Sequence, residues 1–591
     1  MTVKYNLKAF NDAVKYYQQH LNTFKKKTVL IVFDAHNEQA FFSMAPLSRA
    51  LHNLGCDISA RGVDKSSPAL EALMDVWQVF EDLEKGVKNE KTAALNDFIA
   101  EADKKAKGEI RKIFKKPEVF ILDMKKEFLV NGESSLMFRT DWFRKYRWDK
   151  LLETARIIWS QVYNLKKSEK VGIGFDLVRM KKDIKYPLED YLDAFAIARS
   201  MWIACHAKKK PMTAYTSKKT MLAKSERTSE LAATLLGCEL EKNIDEPVFN
   251  KFRKLSALLK LDRFDTNDAA FFIKGEGYPG KHIFGETIGY PTPNKKSRWD
   301  SPGGIIYQLP WYPQTKVDSR APKCRLAFTD TLPIDIYISS CCIDWLAVKK
   351  KNDKLVTLAN KSDRIIVDSK KTKLEVNLVR KNKTHVMPMN SDVDVRNKFD
   401  PAYLKKGIKA GTYANIPGGE MFLSPEWVKG VFYGDVVISI DNSYVLNSKN
   451  PLVIQCDKNG YKIIGGPKEI IKKINEKKNE AMKVLLKQEK SKALPQEIID
   501  LKKANFNHIG EFAINTNPKA ELCNYLIVNE KIAGMMHIAL GSGFEDDRAS
   551  VYHYDIVINA KEQKLDIYGL KGNGKSQKKF WMMKKGKLVV N

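Results

Sequence analysis

The chain has 591 residues, 43% of them hydrophobic and 10% aromatic, with a formal charge of +30 from 101 basic against 71 acidic side chains. That length exceeds one ordinary core and calls for two or three domains, and that apolar content excludes wholesale disorder. The positive excess is mostly lysine spread along the whole chain, in runs no longer than Lys25-Lys26-Lys27 or Lys349-Lys350-Lys351. With no RRM, KH or zinc-finger pattern and no regularly interleaved aromatics, it reads as a solubilising surface and speaks against a nucleic-acid partner. The opening MTVKYNLKAFNDAVKYYQQHL reads as a polar amphipathic helix, not a signal peptide, and no apolar run reaches the ~18–20 residues of a spanning helix. Eight cysteines, single except for Cys341-Cys342 and without a CxxC pair, suit reduced thiols. A cytoplasmic protein without a membrane partner is expected.

In chain order, TVLIVFDAH (Thr28 to His36) is a β-branched run followed by a helical pattern through Leu51. EVFILDM (Glu118 to Met124) and KVGIGFDLV (Lys170 to Val178) are further strand candidates separated by helical stretches, and Leu188 to His206 closes the series as a helix. Alternation of this kind predicts a parallel α/β domain over residues 1–246. From 247 to 361 the texture changes to Gly-Pro-rich turns between short runs such as IIYQLPWY and PIDIYISSCC, read as a loop-rich β insertion or linker region. From 362 to 591 strands dominate: DRIIVDS, KLEVNLVR, VFYGDVVISID, LVIQCD, AELCNYLIV and HYDIVINA. A helical segment at 467–504 interrupts them, with Ile470, Ile471, Ile474, Ala481, Met482, Leu485 and Leu486 on one face, read as a surface arm or dimer contact. The fold class is therefore α/β, an N-terminal parallel α/β domain followed by a strand-rich α+β C-terminal domain.

Two motif matches fail on context. Gly569 to Ser576 satisfies GxxxxGK[ST], but only fifteen residues follow it, too few for the helix and strands that a phosphate-binding loop requires. Gly275 to Gly280 satisfies GxGxxG, but Pro279 disfavours a helix where the dinucleotide fold opens one.

Four segments carry carboxylates and imidazoles in settings that demand an account. NIPGGEMFLSP places Glu420 directly after a glycine pair, and GEFAINTNP sets Glu511 in an apolar strand, where an ionised carboxylate is costly unless paired or bound to a cation. KIAGMMHIALG surrounds His537 with small and apolar residues. In VYHYDIV, residues two apart on a strand share a face, so His553 and Asp555 project together while Tyr552 and Tyr554 face away. A lone histidine on an apolar strand is usually a satisfied core residue. Five such groups in one domain weaken that reading, because each unpaired polar group near a core costs several kcal/mol, on the order of 2–7. On the residues alone, a metal centre and a set of satisfied core groups remain alternatives.

At these segments the chain resembles the aminopeptidase T/aminopeptidase S family of metallo-aminopeptidases. NIPGGEMFLSP is similar to the family's Asn-x-Pro-x-x-Glu-Val-Phe-Thr-x-Pro, and GEFAINTNP to its Gly-Glu-Phe-Gly-Ile-Gly-Thr-Asn-Pro. EKIAGMMHIALG is similar to its Glu-Lys-Ile-x-Gly-Thr-x-His-Ile-Ala-Leu-Gly, and HYD to its His-x-Asp. The likeness covers about Ser362 to Ile558 and is faint in the N-terminal half. It implies two divalent metal ions (zinc, cobalt or manganese) held by Glu420, Glu511, His537, His553 and Asp555 in the 362–591 domain. Glu511 or Asp555 would bridge the ions, with a free carboxylate oxygen as general base, and Glu511 is the catalytic candidate. It further implies removal of N-terminal residues from peptide substrates, and a homodimer whose active sites face an enclosed chamber. Glu530 stands as an extra candidate ligand. Where many family members have a tyrosine seven residues after the histidine, this chain has Phe544, which donates no hydrogen bond. Two other readings follow: a metal-holding family member with little or no peptidase activity, and a basic nucleic-acid-associated protein.

Overall fold

The computed structural model describes residues 4–63, 78–79, 82–106, 119–177, 188–209, 212–215, 258, 268–274, 325–390, 413–490, 496–543, 548 and 550–590. The chain is an α/β protein with two compact units, 1–160 with 164–335 and 161–163 with 336–591.

The first unit is built on β1 (Thr28–Asp34), β2 (Asp57–Val63), β3 (Val119–Met124), β4 (Phe128–Val130), β5 (Glu133–Leu136), β6 (Lys170–Asp176), β7 (Lys208–Lys209), β8 (Met212–Tyr215), β9 (Ala269–Lys274) and β10 (Arg325–Asp330). Their order across the sheet is β10-β9-β6-β8-β2-β1-β3-β4-β5, with β7 beside β6. Pairing is parallel for β10–β9–β6–β8 and for β2–β1–β3. The two parallel blocks meet at the antiparallel β2–β8 pair, and β3–β4–β5 form an antiparallel edge. Val29 through Phe33 are all buried, as expected of a strand covered on both faces. The helix Glu38–Asn53 starts where Asn37 accepts from the Gln39 and Ala40 N–H groups, and Leu188–Ala204 is buried along almost its whole length. β9 and β10 come from the 247–361 segment, so that segment contributes strands to this sheet.

One ionisable group in this unit yields a pH dependence. Asp193 accepts from Tyr5 Oη at 2.5 Å and from the Ile334 N–H at 2.8 Å, with Lys4 Nζ at 3.6 Å. Burial outweighs these partners and pushes its carboxyl up from 3.8 to about 6. The native state therefore keeps a proton that the unfolded chain releases, so this group's contribution is full below pH 4 and is lost as pH rises toward 6. The loss is on the order of 2–3 kcal/mol. Asp193→Asn is expected to flatten the fall in Tm between pH 4 and 6.5, whatever its effect on absolute stability. An unchanged slope would count against this assignment.

Among its described residues, the second unit holds two sheets. The eight-stranded one is formed by β11 (Arg364–Asp368), β12 (Lys373–Asn377), β15 (Trp427–Gly434), β18 (Leu452–Asp457), β19 (Gly460–Gly465), β23 (Asp566–Lys571), β24 (Lys578–Lys584) and β25 (Lys587–Leu588), ordered β19-β18-β15-β12-β11-β23-β24-β25. After β13 (Tyr413–Asn415), the six-stranded sheet takes β14 (Glu420–Leu423), β20 (Ile509–Asn515), β21 (Met535–Gly541), β22 (His553–Asn559), β16 (Val437–Ser439) and β17 (Ser443–Val445) in that order. Val367, Val376, Phe432 and Ile454 of the first sheet and Phe512, Ile514, Met536, Ile538 and Ile556 of the second belong to one core. Among the described residues, no helix is long and apolar enough to cross a membrane.

Several sequence expectations change here. VFYGDVVISID is not one strand: β15 ends at Gly434 and β16 starts at Val437, each in a different sheet. A Cβ on Gly434 would lie 2.3 Å from Ile556 Cγ2, so the chain turns where only glycine fits. AELCNYLIV is not a strand but an irregular stretch running into a short helix, Leu526–Asn529. Asn529 organises it, donating to the Cys523 carbonyl at 2.7 Å and accepting from the Cys523 N–H at 2.9 Å. PIDIYISSCC is helical from Ile334 to Cys341, because the buried set Ile334, Tyr337, Ile338 and Cys341 has helical spacing, and a second helix, Trp345–Asn360, follows. The 467–504 segment is helical at Lys468–Lys490 and Gln496–Ala504, but it is no free arm: Ile470 and Ile474 enter the main core. At Gly569–Ser576 a turn joins antiparallel β23 and β24, which removes the phosphate-loop reading, and Gly275–Gly280 lies outside the described residues.

Candidate metal centre

The six-stranded sheet sorts its side chains by alternation. Phe512 and Ile514, Met536, Ile538 and Leu540, and Tyr554, Ile556 and Ile558 turn to the core. The intervening residues share the other face: Glu511, Ala513 and Asn515 on β20, His537, Ala539 and Gly541 on β21, and His553, Asp555 and Val557 on β22. Cross-strand register puts Glu511 and Asp555 on either side of Ala539, and His537 between Ala513 and Val557. The small neighbours leave the polar groups room to converge. β14 adds Glu420 opposite Asn515.

Two glycines make this possible. A Cβ on Gly419 (φ 131°) would meet Asn517 Cβ at 2.7 Å, so the tight approach that starts β14 at Glu420 needs a glycine. At Gly510 the ladder bulges, with Ile509 opposite Leu540 and Glu511 opposite Ala539. The extra residue sends Ile509 into the core and Glu511 to the opposite face, although they are two apart. A Cβ on Gly510 would lie 2.1 Å from the Ser542 carbonyl oxygen.

Five polar side chains meet here. His537 Nε2 lies 3.4 Å from Glu511 Oε1, 3.6 Å from Glu420 Oε2 and 3.7 Å from Asp555 Oδ1. His553 Nε2 lies 3.3 Å from Glu511 Oε2 and 3.2 Å from Asp555 Oδ1. Glu511 thus turns one oxygen to each histidine. Glu420, Glu511, His537 and Asp555 are at most 4% exposed, and the His553 side chain is 26% exposed. Both imidazoles have Nδ1 committed elsewhere: His553 donates from it to the Ser542 carbonyl at 2.7 Å, and His537 Nδ1 is 2.9 Å from Asn515 Oδ1. That leaves each Nε2 facing the carboxylates, the orientation a metal-ligating histidine takes.

Burial and neighbouring charge oppose one another at each of these groups. Burial pushes Asp555 up, but the neighbouring His553 charge outweighs it and brings the carboxyl down to about 2. Burial would likewise raise Glu511, and the two imidazoles hold it below its ordinary value. Burial opposes protonation of His553, yet Asp555 and Glu511 raise it well above the usual histidine range. Neither oxygen of Asp555 accepts a well-aligned hydrogen bond, and its nearest partner is His553 Nε2 at 3.2 Å. Among the described residues, two groups could each hold a metal ion, Glu420 with Glu511 and His537, and Glu511 with His553 and Asp555, the ligand atoms within each group lying within 4.8 Å of one another. The donor set of carboxylates and imidazoles is of a kind that can hold a divalent metal ion.

No protein-family model matches the chain, and no curated protein does. Among solved structures it is similar to wild-type AmpT from Thermus thermophilus, at 14% identity and a TM-score of 0.40 over 75% of this chain and 100% of that one.

Several residues of the site went unread in the sequence. Asn515 faces Nδ1 of His537, and Ser542 supplies a backbone carbonyl, which leaves no mark in a residue list. Asn352 donates to the Glu420 carbonyl at 2.9 Å and accepts from Thr516 Oγ1 at 2.7 Å, so the Trp345–Asn360 helix steadies β14. Lys531 is fully buried, paired with Glu420 and 3.0 Å from Glu530 Oε1. Glu530 belongs to neither metal-type group; burial pushes it up to about 7, opposed by Lys531. Tyr554 lies in the core, away from the cluster, and Phe544 lies outside the described residues.

Asn515→Ala is expected to weaken divalent-metal affinity by ~10–100-fold, the usual effect of removing a partner that orients a ligating histidine. Calorimetric titration of the metal-free protein reads this directly. An affinity within twofold of native would show that His537 is oriented by other means.

Proposed function

We propose that this chain is a metal-dependent aminopeptidase that holds two divalent ions and hydrolyses the first peptide bond of peptides with a free N-terminus. The observation that carries the reading is Glu511, itself buried and shared between two ligand groups, one oxygen toward each histidine. The motif resemblance at Glu420, Glu511, His537, His553 and Asp555 supports the same reading from the sequence side.

Glu420 and His537 would hold one ion and His553 and Asp555 the other, with Glu511 common to both. Such a pair, when bound, polarises a carbonyl and lowers the pKa of a water at neutral pH. The protein's own part is to keep both Nε2 atoms aimed inward, to keep solvent from the buried carboxylates, and to take up a proton. Glu511 is our catalytic candidate, because its carboxylate is shared by the two ligand groups; the proton would pass to a carboxylate oxygen of the cluster that engages no ion. Cytoplasmic location and a homodimer belong to the same proposal.

Phe544 favours a second reading, a metal-holding protein with little or no peptidase turnover. Metal analysis of the purified protein, run beside hydrolysis of a panel of aminoacyl chromogenic substrates, separates the two. Bound metal with turnover supports the peptidase, bound metal without turnover supports the second reading, and no stoichiometric metal defeats both.

A further inference from the structure

We infer that Lys531 is a resident counter-cation of the carboxylate cage, one that competes with a metal ion for Glu420 and yields it on metal uptake. The inference rests on the metal-centre reading above. The Lys531 side chain is 0% exposed, its Nζ is paired with Glu420 Oε1, and Glu530 Oε1 lies 3.0 Å away. Its backbone is tied to the turn that delivers Glu420. The Asn517 N–H donates to the Lys531 carbonyl at 2.9 Å, and Asn517 Nδ2 donates to the Gly418 carbonyl at 2.9 Å. The Ala533 N–H completes the clasp, donating to the Asn517 carbonyl at 2.9 Å.

A fully buried ammonium persists only beside compensating carboxylates, and carboxylates gathered on one buried face persist only beside a cation. Without metal, Lys531 meets that need for Glu420 and Glu530. The same charge opposes a divalent ion held by Glu420, Glu511 and His537, because ammonium and ion would share Glu420 at close range in a medium that screens poorly. Glu530, outside both ligand groups, gives the ammonium a partner to keep when Glu420 turns to the metal. Lys531 is thus a positioning residue, acting through Glu420.

The test uses the full chain, with zinc binding by calorimetry and Tm measured for the metal-stripped and zinc-loaded forms. Lys531→Met is expected to bind zinc ~10-fold or more tightly than native and to lose more Tm in the stripped form than in the loaded form. Lys531→Arg, which keeps the charge, should restore most of the native affinity. Glu530→Gln should weaken zinc binding in the native background and have no effect in the Lys531→Met background, because its influence runs through the ammonium. Unchanged or weaker zinc binding in Lys531→Met, equal Tm losses in both forms, or a Glu530→Gln effect that persists without the lysine would overturn the inference. Should the methionine variant not fold when stripped, the arginine and glutamine variants decide it on affinity alone. A native chain that binds no zinc fails the metal-centre reading itself. A native chain that binds zinc while the variants behave as a structural lysine would fails this inference only.

Discussion

Glu511→Ala should empty both metal positions and remove hydrolysis of aminoacyl substrates to below detection. Glu420→Ala and His553→Ala should each lose at least one of the ~two ions expected per chain. The difference follows from connectivity. Glu420 belongs to one ligand group and His553 to the other, while Glu511 belongs to both. Removing it takes an oxygen from each position, leaving His537 without its nearest carboxylate oxygen and His553 with Asp555 alone of its two. Folding should survive, since Glu511 lies on the face away from Phe512 and Ile514 in the core. Elemental analysis after gel filtration counts the ions, and a thermal melt checks the fold. Stoichiometric metal in Glu511→Ala, or in the combined Glu420→Ala/His553→Ala protein, would remove the assignment.

Phe544→Tyr should cleave aminoacyl substrates faster than the native chain at unchanged metal content, by ~100–1000-fold if a hydroxyl donor at that position meets the developing oxyanion. The expectation comes from the family resemblance, in which a tyrosine stands seven residues after the histidine. Two alternative donors can be weighed. The Gly543 N–H already donates to the Arg548 carbonyl at 2.7 Å, and Tyr554 is buried in the core on the other face of its strand. Neither replaces the missing group. Steady-state kcat on the chromogenic panel, with metal content measured on the same samples, decides the matter. Equal rates would mean that another donor serves, and two inert but fully metallated proteins would select the non-peptidase reading.

What could be read from the sequence depended on whether a residue's role is set by its near neighbours. Val29–Phe33, Ile365–Val367 and Leu452–Cys456 announce strands because burial on one or both faces shows directly in their pattern. His553 and Asp555 could be placed on one face because alternation within a single strand suffices. Ile334–Cys341 was misread because an Ile-x-Ile-x-Ile pattern mimics alternation, whereas its buried positions follow a helical period once Tyr337 and Cys341 are counted. The break at Gly434 was invisible because its cause, the Ile556 side chain, is over a hundred residues away. The same holds at the site. Asn515, Asn352 and Lys531 gain their roles through partners on other strands and helices. In the sequence Lys531 is a passing member of the EKIAGMMHIALG segment, and its burial beside Glu420 and Glu530 is what gives it a role.

The bulge at Gly510 changes the parity of β20: Ile509 is the last odd-numbered residue to serve the core, after which Phe512 and Ile514 serve it and the odd numbers face the carboxylate cluster. The Ser542 oxygen that forbids a side chain at Gly510 is also the one that accepts from His553. One glycine therefore sets the phase of one strand and the aim of a histidine on another. Chemistry and packing in this sheet are written in two reading frames, and a change in residue count at that point would exchange them where a change in residue type would not.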